Sequence, residues 1–284
     1  MERNTAKRTL EKLLSVCICL CMLGAMLPAQ VLAEEADTAQ TETVQDTAPK
    51  DTVHLSSADD LIQLAKNCRL DSWSQNRTVV LEADIDLSSV DFNGIPSFGG
   101  TWEGQNHAIT GLSLSQDGSV QGLFRYVQQG ALVRDMTVKG RIKPGGTRAS
   151  VGGIAGSNAG TIENCAFDGV VSGTSQIGGI AGVNTVKGSI NGCTVSGTVY
   201  GSHFVGGVVG QNDGVAANCT NAASVNTTVS QNEVKLNDLT LDNVLKTEKA
   251  NDVTDAGGIA GNNAGVLRAC INRGTIGYSH IGYN

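Results

Sequence analysis

The chain has 284 residues, a formal net charge of -7, 36 glycines, four prolines and only eleven aromatic residues. It has no basic patch or aromatic–basic interleaving, which argues against a nucleic-acid partner. So few rings among so many Gly, Asn, Ser and Thr residues fit thin β layers better than a broad aromatic core.

Residues 1–33 read as a secretory signal peptide. Arg3, Lys7, Arg8 and Lys12 precede the apolar run Leu13–Leu27, Pro28 breaks it, and Val31-Leu32-Ala33 offers a small-residue cleavage pattern. The run is short for a membrane span. Its four basic and two acidic groups leave with it, so the charge moves from -7 to -9. Cys17, Cys19 and Cys21 leave too, and five of the eight cysteines remain. Residues 34–52 are acidic and Thr-rich, with too little apolar bulk to offset the entropy of folding, and read as a disordered linker.

A helix is predicted over 57–68. Ser57 can cap it, Asp59 and Asp60 suit its positive end, and Leu61, Leu64, Ala65 and Cys68 share one face. It is expected to cover the first coil of the β region downstream. The strand-like TVVLEADIDLSS (78–89) carries Asp84 and Asp86, which alone lack the six to eight oxygen ligands that calcium needs. Turn hydrogen bonds are their expected role. Trp102 is expected to pack across the early coils, with ligand stacking as its other reading, and His107 to be a turn residue.

The rest of the chain repeats itself. Copies begin at Val151, Ile177, Val205 and Ala256, spaced 26, 28 and 51 residues, and IGYN at Ile281 opens a partial fifth. Asn158, Asn184, Asn212 and Asn263 share one offset; Cys165, Cys193, Cys219 and Cys270 share another once two extra residues in the turn NTVKGS are allowed for. Apolar positions that recur from copy to copy predict a solenoid, each coil burying its face against its neighbours. Glycine disfavours a helix at about 1 kcal/mol per residue relative to alanine, and Val, Ile and Thr favour strands. The expected architecture is all-β: a right-handed parallel β-helix over 53–284, with about three strands per copy (near 151–156, 161–167 and 169–172 in the first). The register reaches back through HAITGLSL (107–114) and ALVRDMTV (131–138), so that Ile109, Val133, Ile162 and Ile190 align, followed by Leu112, Met136, Cys165 and Cys193. The thiols then read as a buried packing column, not as disulfides or a zinc set.

Residues 227–255 interrupt the pattern. Leu239–Lys249 reads as a short helix, and the excursion is either a binding feature or an irregular coil. IGYN ends the chain without a cap, so further repeats or domains are expected beyond Asn284.

No HExxH, GxSxG or phosphate-loop motif occurs. Asp135 and Glu163 are expected to lie close together by a bend, and His54, His203 and His280 show no aligned carboxylate or cysteine. No catalytic, metal-ligating or cofactor-binding residue is assigned.

GGIAGSNAGTIENC (152–165), GGVVGQNDGVAANC (206–219), GGIAGNNAGVLRAC (257–270) and the longer GGIAGVNTVKGSINGC (178–193) resemble the repeats of bacterial surface proteins that bear the GLUG motif. Ile154, Ile180, Val208 and Ile259 replace that motif's central leucine. The lead-in, from the 57–65 helix through LEADIDLS, FGGTWEGQNHAITGLSL and VQGLFRYV, resembles the same proteins. The resemblance implies a secreted or surface-displayed scaffold of adhesin type with an extracellular protein or glycan ligand. It also admits a non-catalytic fragment of an immunoglobulin-cleaving metallopeptidase. The rival reading is a glycan-processing β-helix enzyme.

Overall fold

The computed structural model describes residues 51–227 except Thr147, together with 232–234, 255–277 and 281–283. Residues 1–33 and nearly all of 34–52, read from sequence as signal and linker, and the 239–249 segment and His280 lie outside the described residues. The fold is an all-β parallel solenoid of about six turns with one N-terminal helix.

Each coil runs through four short strands. In the first clear copy these are Ala149–Gly152, Ala155–Asn158, Thr161–Glu163 and Ala166–Ser172. The expected segment 151–156 is divided between two strands, 161–167 likewise, and 169–172 belongs to a longer one. The reason is local: Gly153 sits where a Cβ would meet the ring of Phe167 and the carbonyl of Gly179, so the chain turns there instead of running straight.

All pairings between coils are parallel. Ile162 pairs with Val133 and Ile190, Phe167 with Val138 and Val195, and Asn184 with Asn158 and Asn212. Coil length varies as expected, since Asn158–Thr161 corresponds to Asn184–Ser189 and the surplus is a surface turn with Val186 76% exposed. The inward columns are buried through the coil that ends at Val225, as stacking requires, and only partly covered on the last described coil.

The upstream register differs from the sequence reading. Ile109 pairs with Val138, and it is Trp102 that pairs with Val133 and Val79. Ile109 and Leu112 have the same three-residue spacing as Val133 and Met136, so spacing alone matches HAITGLSL to ALVRDMTV although it pairs with the strand that follows, Thr137–Ile142. Met136 does continue the thiol column, because its flanking residues Arg134 and Thr137 pair with Glu163 and Ala166. Leu112 instead pairs with Gly140, beyond a register shift.

The helix α1 spans Ala58–Asn67 and lies against strands Val53–Leu55 and Ile95–Phe98. The Ser57 hydroxyl accepts from Asp60 N–H at 3.2 Å, and the Asp60 carboxylate accepts from Ser56 N–H at 3.0 Å, so two otherwise unpaired donors are satisfied. Leu61, Leu64 and Cys68 are buried against the first coil. Above them Trp102 is fully buried and meets Phe124 and Phe98 edge to face, at centroid distances of 5.2 and 6.0 Å. Ligand stacking on Trp102 is therefore ruled out. Trp102→Ala should cost about 3–5 kcal/mol, read as a fall in the urea midpoint; a loss under about 1 kcal/mol would show that the aromatic cluster does not hold the early coils together.

At the other end, Ile281–Tyr283 pairs with Asn232–Val234 in a separate two-stranded sheet, not with the Ala256 column that a fifth copy requires.

Candidate functional site

The offset shared by Asn158, Asn184 and Asn212 proves to be interior. All three are fully buried, and each amide donates to the carbonyl of the next, Asn158 to Asn184 and Asn184 to Asn212 at 2.8 Å and Asn212 to Asn263 at 2.7 Å. Each also donates to a backbone carbonyl of its own turn, such as Gly160, Gly188 and Gly214. A second, shorter ladder joins Asn221 to Asn272 at 2.8 Å. The repeated asparagines therefore close the bends from inside, supplying the partners that buried amides require. The recurrence of Asn at one offset was visible in sequence; its inward direction was not.

Cys165, Cys193 and Cys219 stack beside this ladder, buried and free, while Cys270 on the last described coil is half-buried. Their Sγ atoms point at carbonyls two residues back, at 3.2 Å for Glu163 and 3.1 Å for Ala217. The thiolate form of Cys193 is disfavoured chiefly by the neighbouring Cys165, and that of Cys219 chiefly by Cys193; burial adds to both. Burial alone pushes Cys68 up to about 11. A thiol reagent on native protein should thus modify Cys270 first and reach Cys68, Cys193 and Cys219 only at the unfolding rate, as mass spectrometry of timed samples would show. Labelling of all five at one rate would refute the packed column. No group of three or more His, Cys, Asp or Glu residues able to hold a metal ion exists among the described residues.

The acidic candidates have structural partners. Asp84 accepts from Ala108 N–H at 2.8 Å and faces His107 Nδ1 at 3.1 Å, which together lower its pKa, the backbone bond most. Asp86 accepts from the Ser88 amide and hydroxyl, and these lower its pKa. Asp135 lies in a bend, as expected, and Glu163 closes the adjacent strand. Arg134 stands between coils and takes up both: it donates twice to Glu103, at 2.7 and 2.8 Å, and lies 3.8 Å from Asp135 and 3.7 Å from Glu163. The bidentate Glu103 contact is the main reason its pKa is raised. Asp135 and Glu163 therefore converge on a guanidinium and do not face each other across a groove as an acid and base must. His54 does have a carboxylate, Glu82 at 2.6 Å, because the strand pairing carries Glu82 beside it 28 residues later. The sequence pattern missed this contact and the Glu103–Arg134 pair, since both join positions with no shared repeat offset.

Two surface depressions meet at Pro96. One, of about 250 Å³, lies between α1 and the 91–94 turn; the other, of about 700 Å³, is a shallow face on the sheet that contains Tyr126.

These features define a parallel β-solenoid with a capping helix, its polar interior columns structural. A scan of protein-family models finds none that matches, and no solved structure matches. Part of the chain is similar to Halomucin of Haloquadratum walsbyi (strain DSM 16790 / HBSQ001), 29% identical over 128 residues that make up 39% of this chain and 1% of Halomucin. Among the described residues, no helix is long and apolar enough to cross a membrane.

Proposed function

We propose that the chain is a secreted or surface-displayed scaffold of the GLUG-repeat kind, a stack of coils that holds adhesive side chains at fixed spacing outside the cell. The observation that carries this is the interior. Asparagine and thiol columns continue from coil to coil, and Glu103, Arg134, Asp135 and Glu163 are engaged in holding coils together. The N-terminal signal and acidic linker read from sequence agree with export, and the similarity to Halomucin agrees with an extracellular setting. The coil Ala256–Ile276 leaves its core positions Leu267 and Ile276 40% and 37% exposed, where their counterparts Ala216 and Val225 are fully buried. Antibody against residues 53–277 should stain intact cells and lose its signal when those cells are shaved with protease without lysis. Antigen found only in the cytosolic fraction would overturn the proposal.

A further inference from the structure

The depression beside α1 has the opposite charge to the chain as a whole. Lys66, Arg69 and Arg125 line it with Asp91 as its one acid, in a protein of net charge -7. None of the three cations is in a salt bridge among the described residues. Arg125 is fixed in place, its Nε donating to the Val120 carbonyl at 3.1 Å and its Nη2 to that of Ser119 at 3.3 Å. A cation held by neutral carbonyls keeps its charge for a ligand, and a planar guanidinium matches a carboxylate.

The adjoining face has different chemistry. Tyr126 is 47% exposed on a rigid strand, with Ser157 on the next coil. Its amides are already ordered: Gln75 Nε2 donates to Gln128 Oε1 at 2.9 Å, and Gln128 Nε2 to Ser97 Oγ at 2.7 Å. The strand Phe124–Val127 is paired on both sides, by Ile95–Phe98 and Ala155–Asn158, so an extended peptide finds no open edge there to join.

We propose that this continuous surface binds an acidic, carboxylate-bearing glycan, one sugar stacking on Tyr126 while a uronate on a neighbouring sugar meets Lys66, Arg69 and Arg125. An exposed ring, ordered amides and hydroxyls, and unpaired cations in sequence along one surface match alternating sugar faces and carboxylates. Asp91 and Asp71 oppose any anion, which sets the approach over the cations and away from those two rims. The proposal rests on the scaffold reading only for where such a glycan would be met.

Calorimetric titration of the full chain with tetragalacturonate, neutral cellotetraose and tetraglutamate tests it, at low and at physiological ionic strength. Tetragalacturonate should bind, more weakly as salt screens the cations, and cellotetraose should not. The double variant Lys66→Gln/Arg69→Gln should weaken binding about tenfold, and Tyr126→Ala about fivefold. All three are exposed side chains, and an unchanged circular dichroism melt would confirm that the fold is intact. Absence of tetragalacturonate binding overturns the proposal. So does equal binding of tetraglutamate with no effect of Tyr126→Ala, which would mark an acidic-peptide site. Protease shaving of cells reads the scaffold role independently of either result.

Discussion

Asn184→Asp is expected to lower stability by about 3–5 kcal/mol at neutral pH and to recover part of that loss as the pH falls. Asn184 is fully buried and must both accept from Asn158 and donate to Asn212 and to the Gly188 and Val215 carbonyls. A carboxylate accepts only, so those oxygens would face a buried charge. Burial raises the new carboxyl's pKa in the folded state above its unfolded value of about 4. Its folded form is therefore favoured below about pH 4, and that contribution is lost as the pH rises through the higher folded value. The wild-type carboxylates run the other way. Asp60, Asp84 and Asp86 have lowered pKa values, chiefly through backbone hydrogen bonds, and what they contribute is lost as the pH falls through those values. The variant must accordingly be compared with wild type at each pH, by urea unfolding at pH 7 and pH 4. Asn184→Ala, which removes the donors without adding charge, should cost about 1–3 kcal/mol per donor or acceptor left unpaired and show no such recovery. Equal deficits for the two variants at both pH values would mean that the ladder is reached by water and does not organise the bends.

Gly178→Ala is expected to destabilise the solenoid by about 3 kcal/mol or more, the upper range for overpacking. A Cβ there would meet the Ala181 carbonyl oxygen and stand 2.7 Å from both Gly210 N and Val209 Cα. Ala181 is on the same coil and Val209 and Gly210 on the next; all are backbone atoms, so no side-chain rotation relieves the clash, and moving the last two strains the pairing of Ala181 with Val209. Gly130→Ala supplies the contrast. Nothing lies within 4 Å of its Cβ, and only its φ of +82° resists substitution, at a cost of about 1–2 kcal/mol. Thermal melts of the two variants should differ clearly. Equal, small losses would show that coils can separate enough to admit a methyl group, and that close backbone approach is not what the Gly-Gly pairs provide.

Much of this fold can be read without coordinates because a solenoid's contacts lie at a fixed sequence interval. Residues 26 or 28 apart must stack if the same apolar, thiol and amide positions are to be satisfied in every coil, so Asn158, Asn184 and Asn212, and Cys165 and Cys193, announce their neighbours by spacing. The capping helix is legible for a similar reason, since its cap and its apolar face are both local. Legibility ended where the interval broke. Trp102, not Ile109, stacks on Val133, because the early coils have unequal lengths and their strands are interchangeable by composition. Three expected strands became four because the sharp turn at the Gly-Gly pair depends on what lies across the coil, which no local window contains.

What the amino-acid sequence settled by itself was the repeat, hence the parallel coils, the columns and the cap, all of which derive from periodicity and local propensity. Only the tertiary structure decided which way each column faces and what meets on the outside. The asparagines point inward, Arg134 gathers Glu103, Asp135 and Glu163, and Lys66, Arg69, Arg125 and Tyr126 come to share one surface. A one-residue choice at each bend reverses the face on which a side chain emerges. That choice is made by the neighbouring coils, not by the residues of the bend.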